Sequence, residues 1–86
     1  GADLALILAM VSSFRDRALP QDLVVFGEVG LSGEIRPVPG GQDRLKEAAK
    51  HGFKRAIVPK ANVPKAGVKG MEIIGVDKLS QALEAV

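Results

Sequence analysis

One stretch, Leu23 to Pro59 (LVVFGEVGLSGEIRPVPGGQDRLKEAAKHGFKRAIVP), constrains the fold more than any other. Leu23-Val24-Val25-Phe26 is a continuous apolar run with β-branched and aromatic members, the pattern of a buried strand. Gly30-Leu31-Ser32-Gly33 is a short glycine-flanked turn, and Glu34-Ile35-Arg36-Pro37-Val38 alternates polar and apolar as a return strand does. Pro39-Gly40-Gly41 stops that strand. Helical spacing follows, with Gly41, Leu45, Ala48, Ala49 and Gly52 on one face and Gly52 placed to end the helix in the left-handed conformation. Ala56-Ile57-Val58 restarts a strand and Pro59 closes it. The reading is strand, hairpin, strand, helix, strand, with strands two and three joined through the helix as a βαβ-like, right-handed unit.

On either side the pattern is simpler. Ala2–Arg17 reads as a helix that is apolar around its circumference from Leu4 to Val11, which predicts burial on several sides. Fewer than 18 apolar residues are contiguous, and Arg15-Asp16-Arg17 follows at once, so a membrane span is not expected. A secretory signal is not expected either, since the basic start and cleavage site are missing. Lys60–Gly70 reads as a surface loop, Glu72–Val76 as a fourth strand, and Asp77 as the N-cap of a last helix with Leu79, Ala82, Leu83 and Val86 at helical spacing. The expected fold is one α/β (α+β) domain over residues 1–86, with about three helices on a small mixed sheet of about four strands.

Composition narrows the function. Aromatic residues are 3% of the chain, leaving no stacking platform for single strands. There is no cysteine, hence no disulfide, thiolate metal site or cysteine nucleophile, and a reducing cytoplasm is compatible. His51 is the only histidine and falls near the end of the middle helix, where contact with the helix dipole or last carbonyls is expected. No metal site is expected from this set. No GxxxxGK[ST] loop occurs, so no phosphate-loop nucleotide site is expected.

The run GEVGLSGEIRPVP, followed by glycine and a helix containing RLKEAAKHGFKRAIVP, strongly resembles the C-terminal Lon-like domain of the RadA (Sms) family of bacterial DNA repair proteins. It resembles the proteolytic domain of Lon proteases more distantly. The resemblance is a long ungapped run covering nearly the whole chain. It implies the fold shared with the second domain of ribosomal protein S5, in which more strands precede the first helix. It also implies a domain excised from a longer RecA-like ATPase that acts in recombination and assembles as a ring. ATP with magnesium, and zinc, are expected only in the missing N-terminal parts, with no cofactor in this domain. The implied location is the cytoplasm, with no membrane partner.

Lon-type peptidases use a Ser-Lys dyad, the serine at a helix start where free N–H groups stabilise an oxyanion, the lysine partly buried so that it accepts a proton. Matched along this sequence, the serine position falls at Gly1 and the lysine position at Gln42. Glycine has no nucleophile and a glutamine amide no useful basicity, so both halves of the dyad are missing. Ser12 and Ser13 are mid-helix, and Lys46 lies about 100° from the buried face of its helix. Gln42, about 60° from Leu45, can line what remains of a pocket or help satisfy the helix start.

Charge is unevenly distributed. From Arg44 to Lys69 the chain carries eight basic residues against Glu47 alone, a local balance of +7 in a chain of net +2. Such a segment is either a solvated face or the footprint of a polyanion-binding surface. The resemblance favours DNA. Arg44, Lys46, Lys50, Lys54, Arg55 and Lys60 are the expected contacts, to phosphates and without sequence preference. The expectation is a non-proteolytic scaffold that self-associates and touches DNA; the alternative is a Ser-Lys, ATP-dependent peptidase domain with residual activity.

Overall fold

The computed structural model describes residues 1–86. In chain order the elements are β1 (Ala2–Asp3), α1 (Leu4–Phe14), β2 (Leu23–Val25), β3 (Glu28–Val29), β4 (Ile35–Arg36), α2 (Gly41–Lys50), β5 (Arg55–Pro59), a 3-10 turn (Lys60–Asn62), β6 (Glu72–Val76) and α3 (Leu79–Glu84). The mixed α/β class and the three helices match expectation. The single sheet does not: six short strands form two three-stranded sheets, β1-β3-β4 antiparallel and β2-β5-β6 parallel.

The division happens at Gly27. Leu23-Val24-Val25 pairs in parallel with Arg55-Ala56-Ile57, so the first apolar run is not a hairpin arm. The hairpin consists of β3 and β4 instead, Glu28 opposite Arg36 and Val29 opposite Ile35. Between them Gly27 takes φ 140°, and a Cβ there would sit 3.1 Å from Pro59, 3.3 Å from Ile35 and 3.4 Å from Leu4. Only glycine turns the chain from one sheet to the other in that space. Exposed charges line the hairpin. Arg36 bridges Glu34 at 2.8 Å and Glu28 at 3.6 Å, and a backbone N–H together with Arg36 holds the Glu34 carboxyl below its ordinary range.

The same split breaks the expected βαβ unit. β4 and β5 lie in different sheets, and α2 belongs to the longer crossover from β2 to β5. Strand β5 is the middle of the parallel sheet, and its side chains alternate. Ala56 and Val58 join Phe26 and Leu45 in one core cluster; Ile57 joins Leu4, Leu8, Val29, Ile35, Val76 and Ala82 in another. The sheet therefore has α2 on one face and α1, α3 and the small sheet on the other.

Helix α1 is shorter and more exposed than its sequence suggests. It begins at Leu4, capped by the Asp3 carboxylate, which accepts from the Leu6 N–H at 3.2 Å. Its end is Phe14, where Asp16 adopts φ 56° and the Ser12 hydroxyl donates to the Arg17 carbonyl. Only Leu4, Leu8 and Ser12 are buried, while Leu6, Met10 and Phe14 form an exposed apolar stripe and Phe14 is 92% exposed. The expected burial on several sides is thus not met within these residues. Two smaller expectations also change. The Lys60–Gly70 segment opens with a 3-10 turn carrying a buried Asn62, and α3 begins after Lys78, with the Gln81 side chain accepting from the Asp77 N–H at 2.8 Å.

Leu45 is fully buried, so Leu45→Ala should lower the unfolding free energy by about 2–5 kcal/mol in chemical denaturation. Gly52, at φ 90° in open space, should tolerate alanine with a loss of about 1–2 kcal/mol. Gly27→Val should be the more damaging of the two glycine changes, because strain and three close contacts act together; a smaller loss than for Gly52→Ala would contradict the sheet-switch geometry.

Candidate nucleic-acid interface and the dyad-matched positions

The two positions matched to the dyad are both exposed. Gly1 is exposed and precedes the Asp3 cap by two residues; a Cβ there would collide with Glu28. Gln42 is the second residue of α2 and is exposed. It lines an open depression of about 260 Å³ with Gly40, Gly41, Asp43 and Asn62, with no apolar side chain among them. Ser12 is engaged with the Arg17 carbonyl, and α1 and α2 lie on opposite faces of the parallel sheet, so neither Ser12 nor Ser13 approaches Lys46.

What organises the start of α2 is Asn62, which sequence reasoning left inside a surface loop. It is 7% exposed; its Oδ1 accepts from the Val38 N–H at 2.9 Å and its Nδ2 donates to the Val38 carbonyl at 3.0 Å. The amide thus closes a two-bond ring on Val38 as a neighbouring strand would. Gly41 is buried beneath it, and a Cβ at Gly41 would lie 2.4 Å from the Asn62 amide. The only sequence sign was a lone Asn in a Lys- and Pro-rich stretch, which reads equally well as a turn residue.

The basic residues named from the sequence are all exposed, but the fold separates them. On α2, Arg44 and Lys46 leave on opposite flanks of Leu45, each about 100° away. Arg44 lies over the Phe26 ring, 4.6 Å from its centroid, on the β2 side. Lys50 follows Lys46 by one turn. Arg55 starts β5 on the face of Ile57, opposite Ala56, and sits 3.9 Å from Asp22. Lys60 follows Pro59, at the far end of β5 from Lys54 and Arg55. Lys65 and Lys69, counted in the charge balance but not among the named contacts, lie on the crossover from β5 to β6. Val63, Val68 and Met71 of that crossover pack on the same core cluster as Leu45. Only four ion pairs form in the chain, and none involves a lysine. Glu47, the one acid of the basic segment, lies 3.3 Å from His51 Nε2, so the imidazole meets a carboxylate while the His51 backbone N–H donates to the Glu47 and Ala48 carbonyls at the helix end.

No three His, Cys, Asp or Glu side chains gather at a point where they could hold a metal ion, and no helix is long and apolar enough to cross a membrane. The arrangement offers unpaired ammonium groups and no assembled nucleophile and base.

The family described as subunit ChlI of Mg-chelatase matches residues 2–62. The chain belongs to that family. Its curated relatives carry another name. The chain is 78% identical over 82 residues to DNA repair protein RadA of Escherichia coli, 65% over 85 residues to that of Pseudomonas aeruginosa, and 49% over 85 residues to that of Aquifex aeolicus. These alignments take in 95–99% of this chain but only 18–19% of each relative. The family match ends at Asn62, so the crossover after it and β6 lie outside it, whereas the RadA alignments run through both.

Asn62→Ala should cost about 1–3 kcal/mol, because it leaves the Val38 N–H without a partner and the Val38 carbonyl with only the Gly41 N–H, 3.3 Å away. Thermal melting measures the loss, and faster amide exchange at Val38 should accompany it. A neutral effect would mean that water replaces the amide.

Proposed function

We propose that this domain is a non-proteolytic, Lon-like module of a cytoplasmic DNA repair protein, acting as an oligomerisation scaffold and as a contact surface for DNA phosphates. One observation carries the reading. The bare apolar stripe of α1 and the unpaired lysines of α2 lie on opposite sides of the parallel sheet. A domain built this way can bury its apolar side in an assembly while its basic side stays in solvent for DNA. The high identity to RadA proteins supports the repair setting. ATP, magnesium and zinc chemistry is assigned to the part of the longer protein outside these residues.

The peptidase alternative needs a nucleophile and a base in one pocket. Gly1 offers no hydroxyl, Gln42 no base, and the serines of α1 lie across the sheet from Lys46. The domain should therefore not degrade an unfolded protein substrate, and Gln42→Lys should not confer turnover. Cleavage lost on Ser12→Ala or Ser13→Ala would overturn this.

The scaffold half of the proposal is tested with Phe14→Glu in the longer protein. Because Phe14 is 92% exposed, the melting temperature of the 86-residue chain should hardly change. Light scattering should nonetheless show a smaller assembly for the longer protein. An unchanged assembly would remove α1 from the self-association surface.

A further inference from the structure

We propose that DNA phosphates are held along one flank only, a strip formed by Lys46 and Lys50 of α2 and Lys65 and Lys69 of the β5–β6 crossover. The inference rests on the reading of this domain as a DNA-contacting surface, and it says where on the domain the strand runs.

Three observations assemble the strip. Sheet order β2-β5-β6 places α2 over the middle strand, and the contact of Arg44 with Phe26 marks the β2 side of the helix. Lys46 leaves on the other side, toward β6, with Lys50 one turn beyond it. The crossover occupies the same face of the sheet there, because Val63, Val68 and Met71 pack into the cluster that Leu45 fills. Its lysines are presented by fixed turns: the Gly67 N–H donates to the Pro64 carbonyl at 2.9 Å around Lys65, and the Met71 N–H donates to the Val68 carbonyl at 3.1 Å around Lys69. A loop anchored at three apolar points places its ammonium groups with little left to order on binding.

Three other basic residues named from the sequence, Arg44, Arg55 and Lys60, are otherwise engaged or elsewhere, while Lys54 is exposed and unpaired just before β5 and belongs to neither group. Arg44 is stacked on Phe26 on the far flank. Arg55 faces the other layer, beside Asp22 and in register with Glu72. Lys60 stands past the opposite end of β5. The strip has no acid paired to it: Glu47 is turned to His51, and Asp43 lies further round the helix. Lys46 and Lys50 also stand at a like-charge i, i+4 spacing that costs a helix stability, and a polyanion relieves it.

The test compares two alanine sets in the longer protein, with a short mixed-sequence DNA duplex as probe. Lys46, Lys50, Lys65 and Lys69 form one set; Arg44, Arg55 and Lys60 form the other. Each lost phosphate contact lowers the slope of log affinity against log salt by about 0.7–0.9, so the first set should flatten it by about 3. The second should leave it unchanged. In the unaltered protein, DNA should shield Lys46, Lys50, Lys65 and Lys69 from acetylation while Lys60 stays reactive. Equal flattening by both sets, or shielding of Lys60 in place of Lys65 and Lys69, would overturn the strip and keep the domain's DNA contact. No change on removing the whole domain would overturn that contact, and the strip with it.

Discussion

Every layer of this domain leans on the alternation of one strand. β5 is the sole strand with a neighbour on both sides in the parallel sheet, and it contributes to both core clusters, Ala56 and Val58 to one and Ile57 to the other. A slip of one residue in its pairing would exchange the two faces. It would point Ile57 at α2, where the structure has room for alanine, and Ala56 at α1. The register is kept by pairing on both edges and by Pro59, which is buried at the strand's end against Gly27 and cannot donate in a shifted ladder.

Much of this frame was legible in the residues. The β-branched runs at Leu23–Val25, Ala56–Val58 and Glu72–Val76 became strands, and Leu45 with Gly52 fixed the face and end of α2. Short-range pattern misled at Gly27. Two apolar segments separated by a few residues look like hairpin arms, and nothing local says that the first pairs instead with a strand some thirty residues on. The steric need for glycine at position 27 comes from Pro59, Ile35 and Leu4, all distant in sequence. Asn62 was missed for the same reason: its partner, Val38, is 24 positions away. Charge counting located the basic segment but not its geometry. Helical azimuth separates Arg44 from Lys46 at the level of sequence; that the crossover carrying Lys65 and Lys69 lies on the same face of the sheet as α2 depends on where its apolar residues pack.

Helix α1 shows how burial and composition can disagree. It has eleven residues and no charge, yet half of its circumference lies bare. By contrast α2 buries a narrow face of Gly41, Leu45 and Ala48 and carries charge elsewhere, as a surface helix does. The apolar face of α1 follows a composition rule that holds for residues in contact with something. These 86 residues do not supply that contact, and they make up less than a fifth of the length of the RadA relatives.

Residue 42 and the helix start that carries it play separate parts in the structure. Gly40 at φ 68°, Gly41 beneath Asn62, and the two bonds from Asn62 to Val38 hold the entry to α2 without help from residue 42, whose side chain is exposed. Substitution of residue 42 should cost the fold little, because its side chain is exposed. The same entry sets the rotation of α2 about its axis, through Gly41 and Leu45. That rotation decides which flank Lys46 and Lys50 occupy. The entry therefore aims two lysines, and altering Asn62 or Gly41 should disturb the basic flank through the helix and not through charge.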